Sequence, residues 1–439
     1  MFKRMEMIEK ILEAGNLTKA CKEVVKNKGA GGVDKMPVKK LKAYLDTNRG
    51  KLCESVRSGE YLPQPIRGKK IPKGNKKTRL LGIPTAVDRM LQQAVLRVVM
   101  PQYELEFSED SFGFRPNRNT HQAVSKALNY INSGFQNIVE IDLKSFFDEV
   151  DHVLLLQLMH RKVKCKTTMR LLRRWLRAPI EIDGKLVKRR KGVPQGSPIS
   201  PFLSNVMLNE LDKEMERLNL NFVRYADDFS IYCKTKADAV KANYLVIKFL
   251  REKLKLPINT DKSGIRRPVH LQVLGFGFVP TYRKGEKGKY QLVVTPKKLK
   301  SFKDRLKEIS RKTNPMSFDE RIEKLNSTIR GWMEYFKYAS IQQKLIKIDG
   351  WLRNRLRYCI WHHWKKPNKK MRSLIRLGIK PNQAYAWSRT RMGGWAVAQS
   401  PILGTTITIK SLKKRGYIPM IDVFDTISPN YQNSLFPVI

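Results

Sequence analysis

Cysteine is scarce and poorly placed for cross-linking. The five residues, Cys21, Cys53, Cys165, Cys233 and Cys359, are odd in number, widely scattered and never form a Cys-x-x-Cys pair. That excludes a disulfide framework and a zinc ribbon, and suits a reducing compartment. Long apolar runs are missing too: none approaches the roughly 18 residues of a membrane span. The opening MFKRMEMIEK is broken by Glu6 and Glu9 before an apolar stretch can form, which argues against a secretory signal. There is no internal repeat. Acidic residues are in deficit, 39 against 87 Lys and Arg, and the net charge of +48 is far beyond what solubility needs. Such a field calls for a polyanionic partner. Because the basic residues run from end to end, extended contact with nucleic-acid phosphates explains them better than one solvated tail. Binding should then weaken steeply with salt.

What is present divides along the chain. Residues 1–60, an N-terminal extension, read as short helices around the glycine-rich turn NKGAGGVD at 27–34. Residues 61–84 mix β-branched and basic residues with Pro and Gly, as in strands joined by a basic hairpin loop. Apolar spacing predicts a buried helix over 85–103, with Asp88 near its start where the helix dipole favours an anion. A further helix is expected from Thr120, as N-cap, to about Ile131. The segment QNIVEIDLKSFFDEVDH (136–152) reads as a strand ending in an acidic and aromatic turn, and a helix follows. KGVPQGSPISP (191–201) opens a second apolar helix, NFVRYADDFSIYC (221–233) gives two short strands around a turn, and 271–282 gives another strand pair. Beyond Pro296 the chain turns to long basic helices, which sets a domain boundary near 290. The last sixty or so residues mix short strands, Gly and Lys, and pattern alone assigns them no role.

Asp227 and Asp228 carry most of the chemical information. Two adjacent carboxylates in an apolar strand-turn-strand repel each other and resist desolvation, so the arrangement needs a cation to hold both ionised. Asp142 lies where the alternation of NIVEID gives way to a turn and a side chain can project beyond a sheet edge. Three carboxylates at one rim can hold two hard cations for in-line phosphoryl transfer. The bland alternative is a polar hairpin turn, in which Asp is common.

Tyr-Ala-Asp-Asp at 225–228, preceded in order by IDLKSFFD (141–148) and GVPQGSPISP (192–201), resembles the successive motifs of group II intron reverse transcriptases. The likeness extends through KGAGGVD (28–34), IPKGNKKTRLLGIP (71–84), SFGFRPNRNTHQA, TDKS (260–263), LGFGF (274–278) and IRGWMEYFK (329–337), the last being similar to that family's thumb or maturase region. The resemblance implies an α+β right-hand polymerase: fingers and palm over 61–290 with an antiparallel palm sheet, a helical thumb or maturase domain over 291–380, and a basic C-terminal segment over 381–439. It implies a bacterial, cytoplasmic enzyme that copies RNA into DNA with two Mg²⁺ ions, for which Mn²⁺ could substitute. The expected partners are the intron RNA, an RNA template with DNA primer, dNTPs and target DNA.

Residue by residue, the resemblance makes Asp142, Asp227 and Asp228 metal ligands, with the carbonyl of Leu143 as a fourth. Lys73 and Arg79 would grip the triphosphate, and Gln195 would touch the incoming nucleotide or the template. Lys262 would protonate pyrophosphate. Phe146 or Phe147 would gate against a 2′-hydroxyl, and sequence leaves open which. Downstream, the aromatic residues at helical spacing read as core, whereas Arg353, Arg355, Arg357, Lys365 and Lys366 are expected on a surface facing a duplex or the intron. His362 and His363 read as structural or RNA-facing, since the paired cysteines of a His-Asn-His endonuclease are absent, and no further acidic cluster suggests RNase H. Two rivals remain: a splicing factor that keeps the fold without chemistry, and a polymerase domesticated for defence or repair.

Overall fold

The computed structural model describes residues 6–74, 77–282 and 286–428; the side chains of residues 73, 74 and 77 lie outside this set. Eleven strands are present among them: β1 Ile66–Gly74, β2 Lys77–Ile83, β3 Asn137–Ile141, β4 Ile180–Ile182, β5 Lys185–Val187, β6 Asn221–Tyr225, β7 Asp228–Cys233, β8 Gly264–Arg266, β9 Gln272–Val273, β10 Phe276–Pro280 and β11 Tyr290–Val294. The fold is α+β, and the chain divides into two compact units, residues 1–267 and 268–439.

In the first unit, β6-β7-β3-β8 form the antiparallel sheet expected of a polymerase palm. Ile138, Val139 and Ile141 of β3 and Phe222, Phe229 and Ile231 of its neighbours are buried. All of these but Ile138 share a core with the helices Ala86–Glu104, Ser200–Arg217 and Lys236–Glu252, and with Ile11 and Leu17 from the N-terminal helices. The extension therefore folds as part of this unit. A second sheet, β2-β1-β4-β5, pairs the basic hairpin in parallel with a short second hairpin.

Helix starts follow local chemistry. Thr85 caps the Ala86–Glu104 helix by accepting the Asp88 N–H. The next cap falls one residue before the expected Thr120: Asn119 and Gln122 form a reciprocal capping box, which satisfies two orphan donors at once. Asp88 does more than face a helix dipole. Its 1%-exposed carboxylate accepts from Tyr61 Oη (2.8 Å), Trp175 Nε1 (3.0 Å), Thr85 Oγ1 (2.8 Å) and the Gln64 N–H (3.2 Å), tying three separate segments together.

In the second unit, the small antiparallel sheet β9-β10-β11 packs Phe276 against Tyr335 and Phe336 of the Phe318–Phe336 helix, at centroid distances of 5.9 and 5.0 Å. That packing puts 268–294 with the helical unit, earlier than the boundary near 290 read from composition. The expected strands of the last sixty residues are instead five short helices, Pro381–Ser388, Gly394–Gln399, Pro401–Gly404, Ile409–Lys414 and Met420–Ile427; residues 429–439 lie outside the described set. Segments of four to eight residues are too short to hold a helix alone, and here they lean on the long helices. Asn326 bonds Gly416 O and the Ile418 N–H, and Asp349 accepts from Tyr417 Oη and the Met420 N–H. No helix among the described residues is long and apolar enough to cross a membrane, and all five cysteines are free thiols.

Replacing Asp88 with Ala strands several buried donors, each worth about 1–3 kcal/mol. The midpoint of urea unfolding of the first unit should fall by the equivalent of about 3 kcal/mol or more at unchanged slope; a loss below about 1 kcal/mol would show that the donors find other partners.

Candidate active site

β6 and β7 are joined by the two-residue turn Ala226–Asp227, with Tyr225 opposite Asp228. β3 runs antiparallel to β7 with Ile141 opposite Phe229, so the register carries Asp142, one residue beyond the strand, to a place opposite Asp228. Directly opposed residues hold their Cβ atoms about 4.5–5.5 Å apart. The register thus sets the three aspartates along one edge of the sheet. The electrostatics agree: the carboxyl of Asp228 is pushed up to about 6, first by burial and then by the charges of Asp227, Asp142 and Glu140, with Lys262 opposing them. Asp228 keeps solvent contact all the same.

Asp142 is held by the NTDKS segment. Its N–H donates to Ser263 Oγ (3.0 Å), its C=O accepts the Asn259 N–H (2.8 Å), and its carboxylate accepts Asn259 Nδ2 (2.9 Å) with the Lys262 ammonium 3.5 Å away. The isolated bridge of Leu143 to Ile258 uses the backbone groups of residues 142 and 144, which leaves the Leu143 carbonyl out of that pairing. Among the described residues no three His, Cys, Asp or Glu side chains already stand as a metal-binding group. Asp142 is turned toward Asn259 and Lys262. The donor set is nonetheless all oxygen, and the repulsion that adds to burial in raising Asp228 is what a hard dication relieves; in donor chemistry the residues fit such an ion.

The turn itself is fixed from behind by residues that sequence reasoning missed. Ala226 has φ +60°, a left-handed conformation that costs an L-residue about 1–2 kcal/mol. Arg224, fully buried, bonds the Ala226 carbonyl through Nη1 (2.9 Å) and Asn205 Oδ1 (3.0 Å), while its other nitrogens fork onto the equally buried Asp212. Asn205 Nδ2 passes the contact on to Gly113 O (2.8 Å). A Cβ on Gly113 would meet Ala226 N at 2.3 Å, so only glycine lets the SFGF segment lie against the turn.

The Gly-Val-Pro-Gln-Gly segment grips two neighbours. The Gly192 N–H donates to Val150 O and the Val193 N–H to Phe147 O, both at 2.7 Å, and His152 Nε2 donates to Gly192 O at 2.7 Å. Burial lowers the His152 pKa, and the carbonyl partner requires Nε2 to carry the proton. On the other side Gln195 O accepts the Gly82 N–H of β2 at 2.7 Å. Phe146 is 2% exposed, whereas Phe147 is half-buried with its ring 5.5 Å from that of Phe146. Arg79 is exposed on β2, opposite Ile71 and close enough to Asp148 to pull its carboxyl downward against the burial that raises it. The side chain of Lys73 lies outside the described residues.

The expected nucleic-acid surface of the Gln342–His363 helix needs correction. Arg355 donates to Ser310 Oγ, Ser310 O and Lys307 O, Arg357 to Ile407 O and Gly404 O, and Arg353 lies 3.5 Å from Asp349. Planar guanidinium forks suit internal carbonyls, and Arg355 and Arg357 act as staples within the second unit, while Arg353 faces an acid one turn back on its own helix. Lys365 and Lys366 are exposed as expected.

Arg224→Met should cost about 3–5 kcal/mol by leaving Asp212 buried and unpaired, and adding Asp212→Leu should recover most of that. Hydrogen exchange of residues 224–229 should stay fast in the double variant, because the Ala226 carbonyl is no longer held. A single variant as stable as the parent would remove the role given to this pair.

Comparison with known proteins bears on the whole arrangement. Residues 71–278 match the family model described as reverse transcriptase (RNA-dependent DNA polymerase), and residues 299–378 match the group II intron, maturase-specific domain. Protein YkfC of Escherichia coli is 34% identical over 289 residues, covering 57% of this chain and 76% of YkfC. The group II intron-encoded protein LtrA of Lactococcus lactis is 39% identical over 175 residues, 40% of this chain and 29% of LtrA, so the chain spans under a third of that relative. A partial Cas6-RT-Cas1–Cas2 complex matches 57% of the chain and 43% of its own at 25% identity and a TM-score of 0.37, too slight a likeness to argue from. With the aspartate rim, its supporting glycines and the maturase-specific region in one chain, the protein belongs to the group II intron-encoded reverse transcriptase/maturase family.

Proposed function

We propose that the chain is an RNA-directed DNA polymerase of a group II intron, which extends a primer 3′ end with deoxynucleotides on an RNA template. It also binds the intron RNA to assist splicing and to return the intron to target DNA by target-primed reverse transcription. The observation that carries the chemical half is the register that brings Asp142 beside Asp227 and Asp228 at one sheet edge. Asp142, Asp227 and Asp228, with the Leu143 carbonyl, would hold two Mg²⁺ ions, which when bound supply activation of the 3′-hydroxyl and neutralisation of the departing pyrophosphate.

The chain's own groups do the rest. Lys262, 3.5 Å from Asp142 Oδ2 and 64% exposed, can swing from the carboxylate to the leaving group and give it a proton. Arg79 presents a planar fork to the triphosphate and Lys73 a point charge. Gln195, fixed through its carbonyl to β2, would meet the incoming base beside the basic hairpin. Of the two phenylalanines, Phe147 has the free surface that a sugar can rest on, and Phe146 is a core residue; Phe147 is the gate. Lys365 and Lys366 remain for the intron or the duplex. The maturase-specific match supports the splicing half, and the +48 charge supplies the field for RNA.

Asp227→Asn should lower primer extension by about 10³-fold or more while the Kd for intron RNA moves by less than about twofold, because the charge serves the metals and not the RNA. An equal loss of both would count against this division. Phe147→Ala should reduce discrimination against ribonucleotides by about 10–100-fold in single-nucleotide incorporation. Phe146→Ala should instead destabilise the first unit by about 3–5 kcal/mol. Unchanged sugar selectivity in the Phe147 variant would remove the assignment.

A further inference from the structure

The second hairpin of the mixed sheet takes no part in the site described above. β4 and β5, Ile180–Ile182 and Lys185–Val187, extend the sheet that carries Arg79, in the order β2-β1-β4-β5. β5 is its edge, and all three of its residues are exposed, Leu186 at 61% and Val187 at 46%. The run from β5 into the Gly-Val-Pro-Gln-Gly segment, KLVKRRK at 185–191, is basic at five of seven positions. Two of the five are engaged: Lys191 pairs with Glu149 at 2.5 Å, and Arg189 is tucked inward where it feels Asp148. The nearby Asp183 is taken by Lys70 at 2.7 Å. Among the described residues, Lys185, Lys188 and Arg190 are exposed cations with no acidic partner.

We propose that this edge is a track for the single-stranded RNA template ahead of the point of copying. The inference rests on the polymerase reading. A template base paired with a nucleotide held by Arg79 and Gln195 must be fed from a strand that crosses the neighbouring protein surface. The basic edge lies three strand spacings from β2, or about 14 Å, and is joined directly to the segment that carries Gln195. Three cations without acidic partners follow a phosphate backbone without regard to sequence, and the exposed Leu186 and Val187, on opposite faces of β5, offer apolar contact on either side of the edge to bases that are not paired. The competing explanation is that edge lysines only keep two copies of the sheet from pairing.

The test compares the full chain with the triple variant Lys185→Gln, Lys188→Gln, Arg190→Gln, and with Lys185→Arg, Lys188→Arg, Arg190→Lys as the charge-conserving control. Equilibrium binding is measured for an RNA–DNA duplex with a template overhang of one nucleotide and for the same duplex with about ten, over a range of salt. The full chain should bind the long overhang more tightly. In the Gln variant that advantage should disappear, with the log-log salt slope for the long overhang shallower by about 2, while short-overhang binding holds and the control behaves as the parent. Equal binding of both duplexes by the full chain, an equal loss on both in the variant, or a loss confined to intron RNA would each overturn the proposal. Self-association of the Gln variant with overhang binding intact would assign the lysines to edge protection and overturn it as well. Primer extension on the short overhang is run alongside: its absence in the full chain counts against the polymerase reading, whereas the binding comparison judges the track by itself.

Discussion

The geometry of the site depends on an ion pair that touches no substrate. Arg224 and Asp212 are both wholly shielded from water, and desolvating two charges is so unfavourable that such a pair contributes little or nothing to net stability. What it contributes is position. A guanidinium has five donors in a fixed plane, and here they are divided between the Asp212 carboxylate, Asn205 and the carbonyl of Ala226. A neutral side chain could fill the space but could not pull the turn into a left-handed conformation that alanine avoids. The pair therefore converts buried charge into a fixed backbone at the residue before Asp227.

Fixing that backbone matters because the carboxylates oppose it. Burial raises Asp228 well above its ordinary range and the charges of Asp227, Asp142 and Glu140 add to it, so a loosely held rim would splay. Three separate elements resist: Arg224 behind the turn, Gly113 against it, and the NTDKS segment around Asp142. The last of these places Lys262 where it offsets part of the charge. The same logic runs through Gly192, whose φ of +83° and contact with the carbonyls of residues 147 and 148 let one segment hold Phe147 on one side and reach β2 through Gln195 on the other. Supports of this kind fix reacting groups more rigidly than loops can alone.

Sequence made the front of the site legible and left its back obscure. Asp142 is visible because strand alternation stops there, and Asp227 and Asp228 because an acidic pair interrupts an apolar run. Asp212 is not visible: in LNELDKEMERL it reads as one more polar position on an amphipathic helix, and its burial depends on an arginine twelve residues later. The available signal was Arg224 itself, a charge in the middle of NFVRY with no local partner. Asn119 was also within reach, since Gln122 follows it at the capping-box spacing. The C-terminal helices were not, because helices of four to eight residues held by tertiary contacts carry no periodicity of their own. Nor was the unit boundary, which is set by Phe276 meeting the Phe318–Phe336 helix and not by any change in composition.

The same division between hidden arginines and open lysines bears on how nucleic acid is held. Arg89 donates to Ala30 O, Arg115 to Ser111 O, Arg321 to Ile309 O and Arg311 O, and Arg355 and Arg357 to carbonyls of their own unit. Part of the chain's capacity for planar, bidentate recognition is thus turned inward, where weak hydration lets a guanidinium be buried. Several of the cations left outside, Lys185, Lys188, Lys365 and Lys366 among them, are ammonium groups, strongly hydrated point charges that attract phosphate but read no base edge. On the polymerase reading that is the useful arrangement. An enzyme that must advance along its template gains from contacts equally good at every register, and a fork matched to one base would hold it in place.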